Sequence, residues 1–192
     1  MSRLLLLLLS MMISLIEVRG EKFEGYVVML SGDTIACRVL FNDLATYSTS
    51  DEIISKSSIK VLIKGETLRF RPDEIKCYAI KVEGGVWQTY FGVNIGKDDY
   101  MYMRLETEGK MSLFSCVTYS NLTMRYSKHY LFVNNSTQER LHLIDGIFTS
   151  LRQHYSFFDN CRALIDKLEE KDINLNRSAD WNLVAVVYNE QC

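Results

Sequence analysis

From Phe23 to Ile144 the chain is a succession of short runs rich in β-branched and aromatic residues, each closed within a few positions by Gly, Asp, Asn or Ser. That punctuation suits antiparallel strands and little else. Phe23 to Leu30 and Thr34 to Phe41 flank Ser31-Gly32-Asp33 and read as a hairpin. Ser58 to Lys64 and Thr67 to Arg71 flank Gly65-Glu66, and Ile75 to Val82 and Val86 to Phe91 flank Gly84-Gly85. The lone proline, Pro72, stands just before the third pair, where a strand tolerates it. Tyr100 to Glu106 with Met111 to Tyr119, then Met124 to Val133 with Arg140 to Ile144, complete the series, while the polar stretch Asn94 to Asp99 reads as a long loop.

After Ile144 the period changes. Ile147, Phe148, Leu151 and Tyr155 share one side of a helix that Asp145 caps, and Asp159 opens a second helix whose stripe is Cys161, Leu164, Ile165 and Leu168. Ser178 is the expected N-cap of a third, with Asp180 in its first turn and Trp181, Val184 and Tyr188 on its apolar side. The predicted class is α+β, an antiparallel β-meander of about eight to ten short strands followed by two or three C-terminal helices. Residues 21–192 are expected to form one domain, β-rich over 21–144 and helical over 145–192.

The first twenty residues stand apart. Met1-Ser2-Arg3 precedes an apolar run from Leu4 to Ile16, then Glu17-Val18-Arg19-Gly20. The run fits the roughly 7 to 15 residues of a signal-peptide core and falls short of the roughly 20 that span a bilayer. Residues 1–20 are therefore expected to be a signal peptide cleaved after Gly20, leaving no stable transmembrane anchor; retention as an anchor is the alternative, because Val18-Arg19-Gly20 fits the small-x-small rule poorly. Cleavage removes Arg3, Arg19 and Glu17, leaving 20 basic and 23 acidic residues. A mildly acidic protein lacks the field that draws in nucleic acid, so no nucleic-acid partner is expected.

All five cysteines, 37, 77, 116, 161 and 192, belong to the mature chain and would meet an oxidising compartment. Five is odd, so at least one has no partner cysteine within the chain. Antiparallel neighbouring helices would bring Cys161 and Cys192 together, and such a bridge would contribute roughly 3 to 4 kcal/mol by loop entropy; two buried thiols are the other reading. Cys37, between Ile35 and Val39, has the spacing of a small core residue. No spacing has a zinc-ligand pattern, and His129, His142 and His154 form no local two-histidine motif, so neither metal nor cofactor is expected.

The sequence has no G-x-S-x-G elbow, Walker loop, dinucleotide fingerprint or H-E-x-x-H. Acidic pairs at Asp51-Glu52, Asp73-Glu74 and Asp98-Asp99 have the composition of a glycosidase dyad, although acids in turns are usually just solvated. Cys116 or Cys161 with His142 would make a thiol nucleophile only if the fold brought them together. Tyr100, Tyr102 and Arg104 alternate with Met101, Met103 and Leu105, and Tyr126, Lys128 and Tyr130 repeat the pattern. Tyr100, Tyr102, Tyr126 and Tyr130 are thus candidate ligand-binding residues able to stack on sugar rings; the plainer reading is that tyrosine favours half-buried sheet. Asn121, Asn134, Asn135 and Asn176 head N-x-S/T triplets, glycosylation acceptors in a eukaryotic host and otherwise turns and a helix cap.

Gly25-Tyr26-Val27-Val28 through Gly32-Asp33-Thr34-Ile35, Pro72-Asp73-Glu74-Ile75, Phe158-Asp159-Asn160-Cys161 and the ending Tyr188-Asn189-Glu190-Gln191-Cys192 together resemble an uncharacterised family of small exported proteins of Bacteroidota. The resemblance covers nearly the whole mature length and departs at Asn160, where the family pattern has Asp. It implies location and architecture, periplasm or cell envelope, and no catalytic residues. The expectation is a non-enzymatic binding or structural module whose partner is an envelope protein or a glycan. The alternatives are a small envelope hydrolase acting on glycan or peptide, or a barrel-like carrier of a small apolar ligand.

Overall fold

The computed structural model describes residues 21–41, 58–120, 123–145, 154–174 and 177–192; the expected signal peptide and the expected Asp145-capped helix, apart from Tyr155, lie outside them. Among the described residues ten antiparallel strands form one sheet: β1 Glu21–Met29, β2 Thr34–Phe41, β3 Ile59–Ile63, β4 Glu66–Phe70, β5 Ile75–Lys81, β6 Trp87–Gly96, β7 Asp99–Thr107, β8 Met111–Ser120, β9 Arg125–Asn134 and β10 Arg140–Ile144. A 3-10 turn, Tyr155–Phe158, precedes helix α1, Arg162–Glu169, and α2 is Ser178–Gln191. The α+β class, strands first and helices last, is borne out.

The strand order is β10-β9-β8-β7-β6-β5-β1-β2-β3-β4, two meanders joined where β1 pairs with β5. A flat sheet would hold β4 and β5 about 19 Å apart, at four strand spacings. Only Arg71–Glu74 connects them, tightened by a turn in which Glu74 N–H donates to the Arg71 carbonyl, 3.1 Å. The sheet must therefore curl, and the Tyr102 hydroxyl on β7 donates to the Phe70 carbonyl at the end of β4, 3.2 Å. Inside this first roll lie Val27, Val39, Val61, Ile75, Tyr78, Ile80, Tyr90 and Tyr102. Tyr78 stacks on Tyr90 at 5.0 Å and meets Tyr102 edge-on at 4.9 Å.

The other half curls the opposite way. β5 pairs with β6 only as far as Phe91, and beyond that point Arg140 on β10 donates to the Asn94 carbonyl of β6, 2.7 Å. Those strands too are four spacings apart in sequence of pairing, so this contact exists only if β6–β10 roll toward the face that carries Arg140. That face holds Met103, Cys116, Leu131 and Val133, with Val93, Ile95, Met101 and Phe114 around them. On the convex side of the same strands α1 and α2 cover Met111, Leu113, Tyr130, Phe132 and Leu143 with Leu164, Leu168, Trp181, Val184 and Tyr188. Covered on both faces, Tyr130 to Asn134 of β9 are buried without interruption.

Gly92 marks the changeover. The Pro72 carbonyl occupies the position a Cβ would take there, so only glycine lets the β4–β5 connection cross β6 at this distance. Between the two apolar clusters that share the helix-bearing face runs a polar seam. The Arg104 guanidinium donates to Glu106 Oε1 at 2.8 and 3.0 Å, the Ser115 hydroxyl donates to the same oxygen, and Thr107 donates to Asn182 on α2.

Three expectations about element ends are corrected. Asn94 to Asp99 is no long loop: β6 runs to Gly96 and β7 starts at Asp99, because Lys97 and Asp98 both take positive φ (46° and 62°) and close a two-residue turn. The second helix begins at Arg162 rather than Asp159, since Tyr155–Phe158 is a 3-10 turn and Cys161 N–H donates to the Phe158 carbonyl, 2.8 Å. Ser178 is the first helical residue and Arg177 the cap, in extended backbone. Asp180 then serves the loop, accepting from Asn174 N–H at 3.0 Å.

Candidate functional site

The four candidate tyrosines divide into two pairs. Tyr102 is 1% exposed and Tyr130 8%, so neither presents a ring to solvent. Tyr102 packs in the first roll, where burial pushes its phenol well above the usual range, and Tyr130 lies edge-on to Trp181, 4.4 Å between centroids, beneath α2. The other two, Tyr100 at 38% and Tyr126 at 53%, are exposed. Strand register places them on the same, helix-bearing face. Tyr126 is directly opposite Tyr119, with ring centroids 4.9 Å apart, and the Tyr119 hydroxyl lies 3.2 Å from the Met124 sulfur. Met124 is 73% exposed. Sequence reasoning missed Tyr119 and Met124; the signal was the register, since pairing Ser120 with Arg125 sets Tyr119 against Tyr126.

A second cluster lies inside the mouth of the second roll. His129 on β9 and His142 on β10 stack nearly parallel, 5.2 Å between centroids, with His129 Nδ1 and His142 Nε2 3.0 Å apart. His129 Nε2 is 2.9 Å from Thr118 Oγ1, which donates onward to the Ser127 carbonyl at 3.4 Å. With the threonine proton spent on that carbonyl, Thr118 accepts from His129 Nε2–H, and His129 Nδ1 in turn accepts from His142 Nε2–H. Burial, then the neighbouring His142, lowers the His129 pKa below its ordinary value; burial lowers His142 as well, against the opposing pull of the Asp99 carboxylate. Both rings therefore favour the neutral form. Their positions in sequence, thirteen residues apart, gave no local motif.

The remaining candidates for chemistry have structural work. Asp73 and Glu74 hold Arg71 at 3.3 Å each, and Glu74 also accepts from Arg71 N–H at 2.7 Å. Asp98 sits in the β6–β7 turn, and Asp51-Glu52 lies outside the described residues. Cys161 is bonded to Cys192 with Cα atoms 5.2 Å apart, as expected, which removes it as a nucleophile. Cys37, Cys77 and Cys116 are buried thiols; burial raises Cys37 to about 11. Cys116 lies across from His129, not His142. Asn134 is buried, and its amide donates to the Tyr188 hydroxyl at 3.1 Å, so it offers no glycosylation acceptor. Asn135 donates to the Gly109 carbonyl and to Ser112 Oγ; Asn121 and Asn176 lie outside the described residues. Among the described residues no group of three or more His, Cys, Asp or Glu is placed to hold a metal ion.

The C-terminal sequence is a set of fasteners. Asn189 binds the backbone of Met111 at both ends, its Oδ1 accepting from N–H at 2.8 Å and its Nδ2 donating to the carbonyl at 2.9 Å. Gly109 makes room for it; a Cβ there would collide with the Asn189 amide. Tyr188 donates to Asn160 Oδ1 at 2.8 Å, an acceptor that aspartate supplies equally well, so Asn160 does not disturb the junction. Cys192 closes the set through its disulfide. Compared with known proteins, the chain matches no family model, no curated protein and no solved structure.

Proposed function

We propose that this is an exported module of the cell envelope, periplasmic or secreted, allied to the Bacteroidota proteins its sequence resembles, and that it binds a protein or glycan partner without acting on it chemically. The observation that carries the reading is the ridge of Tyr119, Met124 and Tyr126, with Tyr100 on the same face. Large apolar side chains grouped at one hairpin are a better match to an interaction surface than to a core, and tyrosine serves both sugar stacking and protein contact. The Cys161–Cys192 disulfide is compatible with an oxidising compartment. Among the described residues no helix is long and apolar enough to cross a membrane.

The test is capture from the host envelope after in-cell crosslinking, comparing the tagged protein with a Tyr126→Ala, Met124→Ala double variant. Both side chains are exposed, so the variant is expected to fold. One envelope protein or glycan retained by the native chain and lost with the variant is the expected result. Capture that ignores the two substitutions, or glycan or peptide turnover by the purified protein, overturns the reading. The mass of the recovered protein also reports whether cleavage follows Gly20.

A further inference from the structure

The second roll is closed by side chains rather than by the covalent path of the chain. Among the described residues β10 is an edge strand paired only with β9; Arg140 ties it across the roll to the Asn94 carbonyl, and one step along the same face His142 is set against His129 of β9. From these contacts we infer that the His129–His142 pair is an acid-sensitive latch, which holds β10 in the roll while at least one ring is neutral and releases it when both are protonated.

The argument is one of proton positions. With Thr118 assigned as the acceptor, His142 Nε2–H points at His129 Nδ1 and His129 Nε2–H at Thr118 in the neutral chain, so each of these two contacts has one donor and one acceptor. A first proton goes to His142 Nδ1, leaves both hydrogen bonds in place and is partly offset by Asp99. A second must go to His129 Nδ1, which already faces an N–H at 3.0 Å. Two N–H groups and two positive charges then oppose each other in a partly buried site, and separation of the strands is the relief. The groups facing the pair are Asp99 from β7, Cys116 and Thr118 from β8, and Arg140 and Ile144 on β10 itself. Arg140 lies on the same face with its guanidinium engaged at the Asn94 carbonyl. The helices pack on the other side of the sheet. For the sign, both rings are lowered in the folded chain, so their contribution is complete above the unfolded value of about 6.5 and is lost as pH falls through the lowered folded values.

Hydrogen exchange of the backbone amides of residues 140–144, corrected for intrinsic rates, tests the latch in the full chain. Protection is expected to fall about tenfold between about pH 7.5 and pH 5, with β1 and β2 unchanged. His142→Gln, which still donates toward His129 but takes up no proton, is expected to keep β10 protected at both pH values. Asp99→Asn leaves both rings and removes the offsetting charge, so release should move to higher pH. A wild-type chain whose β10 protection is indifferent to pH overturns the inference. So does an equal acid loss in His142→Gln, or an Asp99→Asn profile that stays in place or moves down.

Discussion

The two rolls of the sheet are closed by different means. In the first, the chain itself closes the curve: the four-residue connection Arg71–Glu74 crosses β6 at Gly92, and the interior is valine and isoleucine side chains with Cys37, Phe41 and three packed tyrosines. In the second, closure rests on Arg140, with the histidine pair bridging β10 to its ladder neighbour β9, and the outer face depends on a helical layer fastened by Tyr188, Asn189 and Cys192. The lesson is that one sheet carries a half whose integrity follows from connectivity and burial, and a half whose integrity is conditional on redox state and pH. The Arg104–Glu106–Ser115 seam lies between the two apolar clusters on the shared face, and the two are therefore expected to respond separately.

The sharpest way to break the comparison is to remove the disulfide. Cys161→Ser with Cys192→Ser is expected to cost about 3–4 kcal/mol, from the closed loop of 31 residues, and to act on the helical layer alone. Urea unfolding followed at Trp181 on α2 would show the loss. Gly92→Ala attacks the first roll instead. The added methyl meets the Pro72 carbonyl, a backbone atom that cannot swing aside, and a loss of about 3 kcal/mol is expected in urea unfolding followed by side-chain NMR at Tyr78 and Tyr90 of the first roll. Asn189→Ala strips partners from both backbone groups of Met111 and is expected to cost about 2 kcal/mol, with Asn189→Asp, which keeps only the acceptor, losing less. At the small end, Arg71→Ala should change stability by no more than about 0.5 kcal/mol, because its two ion pairs are exposed.

The hairpins were legible because turn chemistry and strand alternation are local. Gly32 and Gly65 fall where the chain turns at positive φ, and the five strand pairs lie where the punctuation put them. The disulfide was legible because helix order brings those two ends together. Curvature was not, since it depends on which strand edges meet; nothing near Arg140 announces Asn94, and nothing near Phe70 announces Tyr102. The same blindness split the tyrosines. Tyr100 and Tyr102 share a face at sequence level, yet one is at the open end of β7 and the other is swallowed by the first roll. Lys97-Asp98 was misread because neither residue is glycine, although both turn the chain at positive φ.

The central claim is that the two rolls are held independently, and hydrogen exchange of the intact protein with its disulfide oxidised and then reduced tests it most directly. The account predicts that reduction lowers protection in α1 and α2 and in the Met111–Asn134 strands beneath them, while β1, β2 and β5 keep theirs. Equal loss of protection in all the strands would contradict it.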